Sequence, residues 1–301
     1  MTLYTHAESN IRRTWFLIGG FLILIIVLGW LVSFILDSSL VLIIAIIFSI
    51  LVSFSSYWYS DKIVLSMTRA QPIEKKDNPE LYRIVENLCL TAGLPLPRIF
   101  VLPETQLNAF ATGRDKNHAA VAVTQGLLSK LERAEIEGVI AHELSHIGNK
   151  DMLLQTVIVV LAGIVAMVSN FFLRVSFWGG RGGSGRRERN SVGALILILG
   201  LVAAILAPLA ASLIRLAISR KREFLADTSG ALLTRYPEGL ARALEKISSD
   251  STPMRTASNS TAHLFISSPF KGEQNKSWFT RLFMTHPPVE ERVRALRGME
   301  V

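Results

Sequence analysis

The sequence predicts a mostly helical α+β membrane protein with about four hydrophobic helices and a small β-sheet. Half of its 301 residues are hydrophobic and only 19% are charged, whereas soluble domains carry about a quarter charged residues. The hydrophobic residues are concentrated in four long uncharged runs. The charged residues lie mainly in two other regions, residues 61–151 and 219–301, where shorter helices and strands are expected.

The first two uncharged runs, residues 15–36 and 39–60, have the length of membrane-spanning helices. About 20 apolar residues in a helix cross the hydrocarbon core of a bilayer, which is ~30 Å thick. Only Asp37 and Ser38 separate the two runs, so we expect a tight helical hairpin. The second run includes three consecutive aromatic residues at positions 57–59, a cluster typical of the interface between membrane and water.

The other two uncharged runs, residues 152–173 and 191–214, are also long enough to cross a membrane. They contain Gln155, Asn170 and Pro208, polar or helix-breaking residues that also fit a helix packed against protein. The sequence is therefore compatible with a second transmembrane hairpin or with a pair of buried core helices.

Basic residues around the first hairpin predict its orientation. Arg12 and Arg13 precede the first run, Lys62 and Arg69 follow the second, and the turn between the runs has no basic residue. Because cytoplasmic loops carry an excess of Lys and Arg, we expect the N-terminus and the segment after Asp61 to face the cytoplasm. The loop between the third and fourth runs is also basic, and four full spans would place it outside the cytoplasm, against the usual rule. Either the first hairpin determines the orientation of the whole protein, or the second pair of runs does not fully cross the membrane. The charged residues of this loop are Arg174, Arg181, Arg186, Arg187, Glu188 and Arg189.

The net charge of +8 raises the alternative of a nucleic-acid partner. The Lys and Arg residues flank the apolar runs, however, as membrane topology requires. We therefore expect the lipid bilayer as a partner and no nucleic acid. The Gly- and Arg-rich residues 179–190 are interpreted as a flexible solvated connector, with an RNA-binding segment as the alternative. The sequence leaves the oligomeric state undefined.

The four runs divide the chain into four predicted parts. Residues 1–60 form an N-terminal transmembrane hairpin, and residues 61–151 form the first part of a water-facing domain. Residues 152–214 form a second hydrophobic hairpin, and residues 215–301 form the second part of the water-facing domain. In the water-facing parts, strands are predicted at residues 98–102, 108–112 and 119–123, and helices at residues 79–91, 133–147, 215–233, 237–248 and 288–298.

A histidine pair in the predicted helix at residues 133–147 indicates a metal site. The segment reads His142-Glu143-Leu144-Ser145-His146, and helix positions i and i+4 lie on one face, one turn apart. Two imidazoles in this arrangement can share one Zn²⁺ at about 2.0–2.1 Å, and the adjacent glutamate can take a proton from a water. The alternative is an amphipathic helix with two surface histidines.

A third protein ligand is expected, because catalytic zinc usually takes three and leaves one position for water. Glu223 is the candidate, since it follows the last apolar run and lies on the same membrane side as His146 if the intervening pair is a hairpin. Asp227, one helical turn further, could accept a hydrogen bond from a ligand imidazole and fix its tautomer. The alternative is a solvated acidic face near the membrane.

The chain resembles the HtpX family of bacterial membrane-bound zinc endopeptidases, relatives of the CAAX prenyl proteases. Five features carry the resemblance over essentially the whole length: the two N-terminal runs, residues 108–113, the His-Glu-Leu-Ser-His helix, residues 223–227 after a second apolar pair, and residues 285–288. The resemblance implies His142, His146 and Glu223 as ligands of one Zn²⁺ per chain and Glu143 as the catalytic base.

The resemblance also implies a function and a location. It predicts quality control of membrane proteins, in which the enzyme hydrolyses misfolded or unassembled membrane proteins. It predicts a multi-pass protein of the bacterial cytoplasmic membrane with its protease domain facing the cytoplasm. Residues 61–151 would carry the active-site helix of that domain, and residues 215–301 would carry the third zinc ligand.

Two further features are predicted to contact the substrate. Residues Asn108, Ala109 and Phe110 are expected near a sheet edge, where an extended substrate can add as a strand; the alternative is a plain internal strand. His286 precedes two prolines, which favour an extended backbone. It is a candidate for stabilising the transition state by donating to the developing oxyanion, and the alternative is a structural capping or packing histidine.

Other classes of protein compete with this interpretation. An intramembrane metalloprotease would place the histidine pair in an apolar run, but Glu132, Arg133, Glu135 and Glu137 precede it. A zinc transporter predicts acidic residues or histidines within the spans, and the four runs contain none. A prenyl-protein protease of the CAAX type and a non-enzymatic zinc-binding membrane protein remain alternatives. The single cysteine, Cys89, excludes a four-cysteine zinc site.

Overall fold

The computed structural model describes residues 3–179, 220–258, 260–270 and 287–299. The predicted fourth run at residues 191–214, residues 180–190 of the connector and His286 lie outside the described residues. In the described part, the chain is mostly helical and contains one four-stranded mixed sheet. The predicted α+β class is therefore confirmed. The division into four parts remains a prediction.

The described helices and strands follow the sequence predictions closely. Predicted strands and helices in the first water-facing part begin or end within one residue of their observed bounds. The structure adds two short helices, before the sheet and after it, and a two-residue strand. The helices are α1 (Leu3–Leu36), α2 (Ser39–Trp58), α3 (Ser60–Met67), α4 (Pro79–Ala92), α5 (Gln125–Lys130), α6 (Arg133–Gly148), α7 (Asp151–Gly179), α8 (Arg220–Thr234), α9 (Pro237–Ser249) and α10 (Val289–Arg297). The strands are β1 (Gln71–Pro72), β2 (Arg98–Leu102), β3 (Ala109–Gly113) and β4 (Ala119–Thr124).

Three of the described helices contain a stretch long and apolar enough to cross a membrane: Ser9–Phe34 in α1, Ser39–Trp58 in α2 and Asp151–Asn170 in α7. Apolar side chains of α1 and α2 remain largely exposed, as a lipid-facing surface requires. In α7, by contrast, 72% of the apolar window is buried inside the protein. Helix α7 packs against α1 and α2 and also lies against β3, so it connects the hydrophobic hairpin to the part of the protein that contains the sheet.

The sheet has the strand order β1-β2-β4-β3. Strands β2 and β4 are parallel, and β3 runs antiparallel to β4 with Ala109 opposite Val123. Strand β3 therefore lies at one edge of the described sheet. Alternate residues of β4 face opposite cores: Val121 packs with the core of helices α4 and α6, and Ala122 packs with Phe110 on the other face. Helices cover both faces, and every residue of β3 and β4 is buried.

Helix α6 is fixed at both of its ends. At its start, the Glu132 N–H donates to Glu135 Oε2 at 2.8 Å, which satisfies a backbone donor that the helix leaves open. At its end, Lys150 adopts the left-handed conformation with φ 56°, and α7 begins at the next residue. The turn between the two helices is thus very short. As a consequence, Asp151 at the start of α7 returns beside His146 in the last turn of α6.

Candidate active site

Three buried side chains converge between α6 and α8. The Nε2 atoms of His142 and His146 are 3.3 Å apart. Glu223 Oε2 lies 3.9 Å from His142 Nε2, and Glu223 Oε1 lies 3.7 Å from His146 Nε2. Among the described residues, these three form a group whose ligand atoms all lie within 4.8 Å of one another, so they could hold one metal ion. Two imidazoles and one carboxylate are a donor set that suits zinc.

A carboxylate lies beside the second nitrogen of each imidazole. Asp227 Oδ1 is 2.9 Å from His142 Nδ1, and Asp151 Oδ2 is 3.2 Å from His146 Nδ1. A carboxylate in this position holds the proton on Nδ1 and leaves the lone pair of Nε2 free for a metal. Asp227 was predicted from the sequence, and Asp151 was not. In the sequence, Asp151 directly precedes the third apolar run and so resembles an ordinary helix boundary. The sharp turn at Lys150 places its side chain beside His146.

A buried arginine from α10 supports Asp227. Arg292 donates from Nε to Asp227 Oδ2 at 2.7 Å and from Nη2 to Oδ1 at 2.6 Å. Its Nη1 donates to the Ile266 carbonyl at 3.2 Å and lies 4.0 Å from Glu223 Oε2. Arg292 could not be predicted from the sequence, because an arginine on a short charged helix is typical of a solvated surface. Only the packing of α10 against α8 reveals its role.

Burial and nearby charges together shift the pKa values of the groups at the site. Burial raises the pKa of the Glu143 carboxyl to about 7, against the opposing effect of nearby His146. Burial lowers the pKa of His142 despite the Asp227 carboxylate. At His146 burial also acts to lower the pKa, but Asp151 and the neighbouring glutamates outweigh it and raise the pKa to about 9. The carboxylates around His146 thus favour positive charge at this ring, which a metal cation can supply in place of a proton.

Glu143 lies between the three converging side chains and the edge strand. It is buried on α6, and the nearby backbone N–H of Ala111 in β3 acts to lower the pKa of its carboxyl. This contact places the candidate base beside the outward-facing backbone of an edge strand. An extended peptide added to that edge would therefore pass close to Glu143.

The structure places the predicted substrate-binding residues at the same edge. Strand β3 begins at Ala109, and Phe110 lies within it. The segment after α9 covers the start of β3. The Ile266 N–H donates to the Ala109 carbonyl at 3.0 Å, and Asn108 Nδ2 donates to the Ser267 carbonyl at 3.0 Å. The role of these residues in substrate binding remains a prediction, as does the role of His286.

Gly230 allows α8 to approach α6 closely at the site. A Cβ atom at this position would lie 2.9 Å from His142 N and 3.1 Å from Ala141 C. Both are backbone atoms, so the contact cannot be relieved by a side-chain rotation. Because Glu223 and Asp227 are carried by the same helix, the distance of these carboxylates from the two histidines depends on this contact.

Substitution of Gly230 by alanine is expected to weaken both the fold and the metal site. Although alanine favours a helix by up to about 1 kcal/mol over glycine, the clash with α6 should cost about 1–3 kcal/mol and move Glu223 away from His142. Gly148→Ala is the matched control, since a Cβ there meets only Leu94 Cδ1 at 4.0 Å. Thermal unfolding and zinc affinity in detergent measure both effects, and equal results for the two variants would contradict this account.

A histidine pair on one helix, completed by a carboxylate from a second helix and placed beside membrane-length helices, defines a class of membrane metallopeptidases. Residues 75–300 match the profile of Peptidase family M48. The chain belongs to Peptidase family M48, and it is a membrane metalloprotease with protein substrates.

Several relatives are similar over nearly the whole chain. The chain is 46% identical over 300 residues to a protein named "Protease HtpX homolog" from Thermoanaerobacter pseudethanolicus, covering 99% of this chain and 98% of the relative. A relative of the same name from Streptococcus gordonii is 41% identical over 300 residues, covering 99% of this chain and 100% of the relative. The predicted resemblance to the HtpX family is confirmed. The crystal structure of S. mikatae Ste24p is similar with a TM-score of 0.48 and 19% identity, covering 98% of this chain and 66% of that chain.

Proposed function

We propose that this protein is a zinc-dependent endopeptidase that cleaves misfolded or unassembled membrane proteins. The convergence of His142, His146 and Glu223 beside Glu143 and the edge strand β3 carries the proposal. Among the described residues, it combines the ligands of a catalytic metal, a candidate base and a surface for an extended peptide.

His142, His146 and Glu223 would hold one zinc ion per chain. When bound, zinc lowers the pKa of a coordinated water and polarises the scissile carbonyl. Asp227 and Asp151 keep both imidazoles in the tautomer that presents Nε2 to the ion. The burial of all three ligands strengthens their interaction with a cation, because water screens charges far less in the protein interior.

Glu143 acts as the general base and then as the general acid. It accepts a proton from the attacking water and delivers it to the leaving amine nitrogen of the substrate. A pKa of about 7 for this carboxyl suits both roles, because a group that exchanges a proton in both directions works best with a pKa near the working pH. Its contact with the Ala111 N–H keeps it close to the strand edge where the peptide would lie.

The substrate binds as an additional strand along β3. Backbone hydrogen bonds to an edge strand require an extended peptide and demand little of its sequence. To pair with Ala109, a substrate must take the place of the Ile266 N–H, whereas the part of the edge at Ala111 is next to the base. A folded protein cannot offer an extended segment of this kind, so locally unfolded proteins are the expected substrates.

The membrane helices keep the site near the bilayer, which favours membrane proteins as substrates. Arg12, Arg13 and Lys62 flank the first hairpin, and because basic residues favour the cytoplasmic side of a membrane, they support a protease domain at the cytoplasmic face. We assign the protein to the bacterial cytoplasmic membrane on this basis and on the similarity to its relatives.

Removal of the metal tests the proposal. The purified full chain in detergent should degrade a destabilised membrane protein and a loosely folded soluble protein such as casein. It should leave the folded form of the same membrane protein intact. A zinc chelator should reduce cleavage to background, and one equivalent of Zn²⁺ per chain should restore it.

Cleavage that persists at full rate after chelation would contradict a metallopeptidase mechanism. Preferential cleavage of a prenylated peptide over the unfolded proteins would instead favour the alternative of a CAAX-type protease.

A further inference from the structure

A chain of buried polar side chains connects the first membrane helix to the candidate metal site. Asp151, whose Oδ2 lies beside His146 Nδ1, accepts a hydrogen bond on its other oxygen from Asn10 Nδ2 at 2.6 Å. Asn10 Oδ1 in turn accepts a hydrogen bond from Arg222 Nη1 at 3.1 Å. Asn10 and Asp151 are 5% and 1% exposed, so water does not replace these contacts.

Asn10 lies in the N-terminal third of α1, shortly before the long uncharged run that begins at residue 15. Burial of an amide costs free energy unless its polar atoms form hydrogen bonds. Both ends of the Asn10 amide have such partners, and they belong to two elements that matter for the site. Asp151 lies at the junction of α6 and α7, and Arg222 directly precedes Glu223 on α8.

The packing of α1 against α7 determines the position of the Asn10 side chain. Ile18 and Phe21 of α1 belong to one apolar cluster with Leu153 and Val157 of α7. The amide therefore approaches Asp151 from a helix that is held against α7. Without the Asn10 donor, one oxygen of a buried carboxylate would lose its hydrogen bond, and the carboxylate could rotate away from His146.

We infer that Asn10 is a positioning residue for the candidate metal centre. It orients the Asp151 carboxylate, which holds the imidazole of His146 with Nε2 directed toward Glu223. The first membrane helix is thus part of the support of the active site as well as a membrane anchor. This inference rests on the proposed function, because it concerns the same zinc site.

Substitutions at Asn10 test the inference in the full chain. Asn10→Leu removes both polar contacts, and Asn10→Asp keeps the shape and the acceptor for Arg222 but removes the donor to Asp151. Both variants should lose about 10- to 100-fold in zinc affinity, the usual effect of removing a partner of a metal-binding histidine. Zinc affinity is measured by competition with a chelating dye in detergent. In cleavage assays, kcat should fall while KM stays close to that of the wild type, because the Asn10 side chain contacts Asp151 and Arg222 and the substrate is proposed to bind along β3.

Thr14→Val is the matched control. Thr14 is also buried on α1, one turn further, and its hydroxyl donates at 2.9 Å to the Asn10 backbone carbonyl of the same helix. This variant should keep the zinc affinity of the wild type. Unchanged zinc affinity in both Asn10 variants would overturn the inference. A loss of zinc affinity in Thr14→Val equal to that in the Asn10 variants would also overturn it, because the effect would then arise from the packing of α1 alone.

The isosteric Asn10→Asp variant keeps the test decisive if Asn10→Leu fails to fold. A wild-type chain that neither binds zinc nor cleaves an unfolded protein would instead overturn the proposed function, and the inference with it. The two failures are therefore distinguishable.

Discussion

Substitution of Glu143 by glutamine is expected to abolish peptide cleavage while the protein retains its zinc. Glutamine keeps the shape of the side chain and can still contact β3, but it cannot accept and return a proton. Removal of a general acid–base group usually lowers the rate about 10²- to 10⁴-fold. Because Glu143 is absent from the group of three side chains that could hold the metal, metal content and zinc affinity should change little.

The control for this prediction lies on the same helix. Glu137 is paired with Arg133 at the start of α6, and Glu137→Gln should leave both cleavage and zinc content unchanged. Degradation of casein and metal analysis of the two purified variants provide the measurements. A Glu143→Gln variant that retains more than about a tenth of the wild-type rate would exclude Glu143 as the base.

The sequence predicted those parts of the structure that depend on local signals. Helix α6 was predicted within one residue of its observed end, because Gly148 and Asn149 at that end favour a helix stop. Strand β2 has the predicted bounds, since a short segment rich in strand-forming residues lies between Pro97 and Pro103. The pair His142 and His146 was found from spacing alone, because one helix fixes their separation.

The support of the site could not be predicted, because it depends on contacts between residues far apart in the chain. Asn10 and Asp151 are separated by 141 positions, and the approach of Asp151 to His146 requires a left-handed residue at Lys150. Spacing gave Glu223 only as a candidate, and the family resemblance was needed to choose it. Polar residues at the ends of apolar runs are typical of helix boundaries, and the sequence gives no sign of their partners. The packing of the helices in the structure determines these contacts.

Substitution of Arg292 by methionine is expected to cause the largest loss of stability among the changes considered. Burial acts to raise the pKa of Asp227, but Arg292 and His142 hold it down to about 2, so this carboxylate is charged in the folded state. Removal of Arg292 would leave the charge buried without its main partner and the Ile266 carbonyl without a donor. Loss of one member of a buried ion pair typically costs about 3–5 kcal/mol of unfolding free energy.

Arg297→Met on the same helix is the control, because Arg297 pairs with Glu238 and Glu245 at the protein surface. Water screens such pairs, so the loss of stability should be small. Thermal unfolding of both variants in detergent compares the two arginines directly. A similar change in both would show that the interior contact of Arg292 contributes no more than a surface ion pair.

A double variant separates the unpaired charge from the lost packing. If the destabilisation of Arg292→Met arises mainly from the buried anion, then Asp227→Asn in the same background should recover part of the stability, because a neutral amide costs less to bury. An asparagine carbonyl can still accept from His142 Nδ1, so zinc affinity should also recover in part. If neither stability nor zinc affinity recovers, the charge of Asp227 is not the reason why an arginine is needed at position 292. Arg292 would then act through its hydrogen bond to the Ile266 carbonyl, which holds the segment that covers Ala109 at the edge of β3.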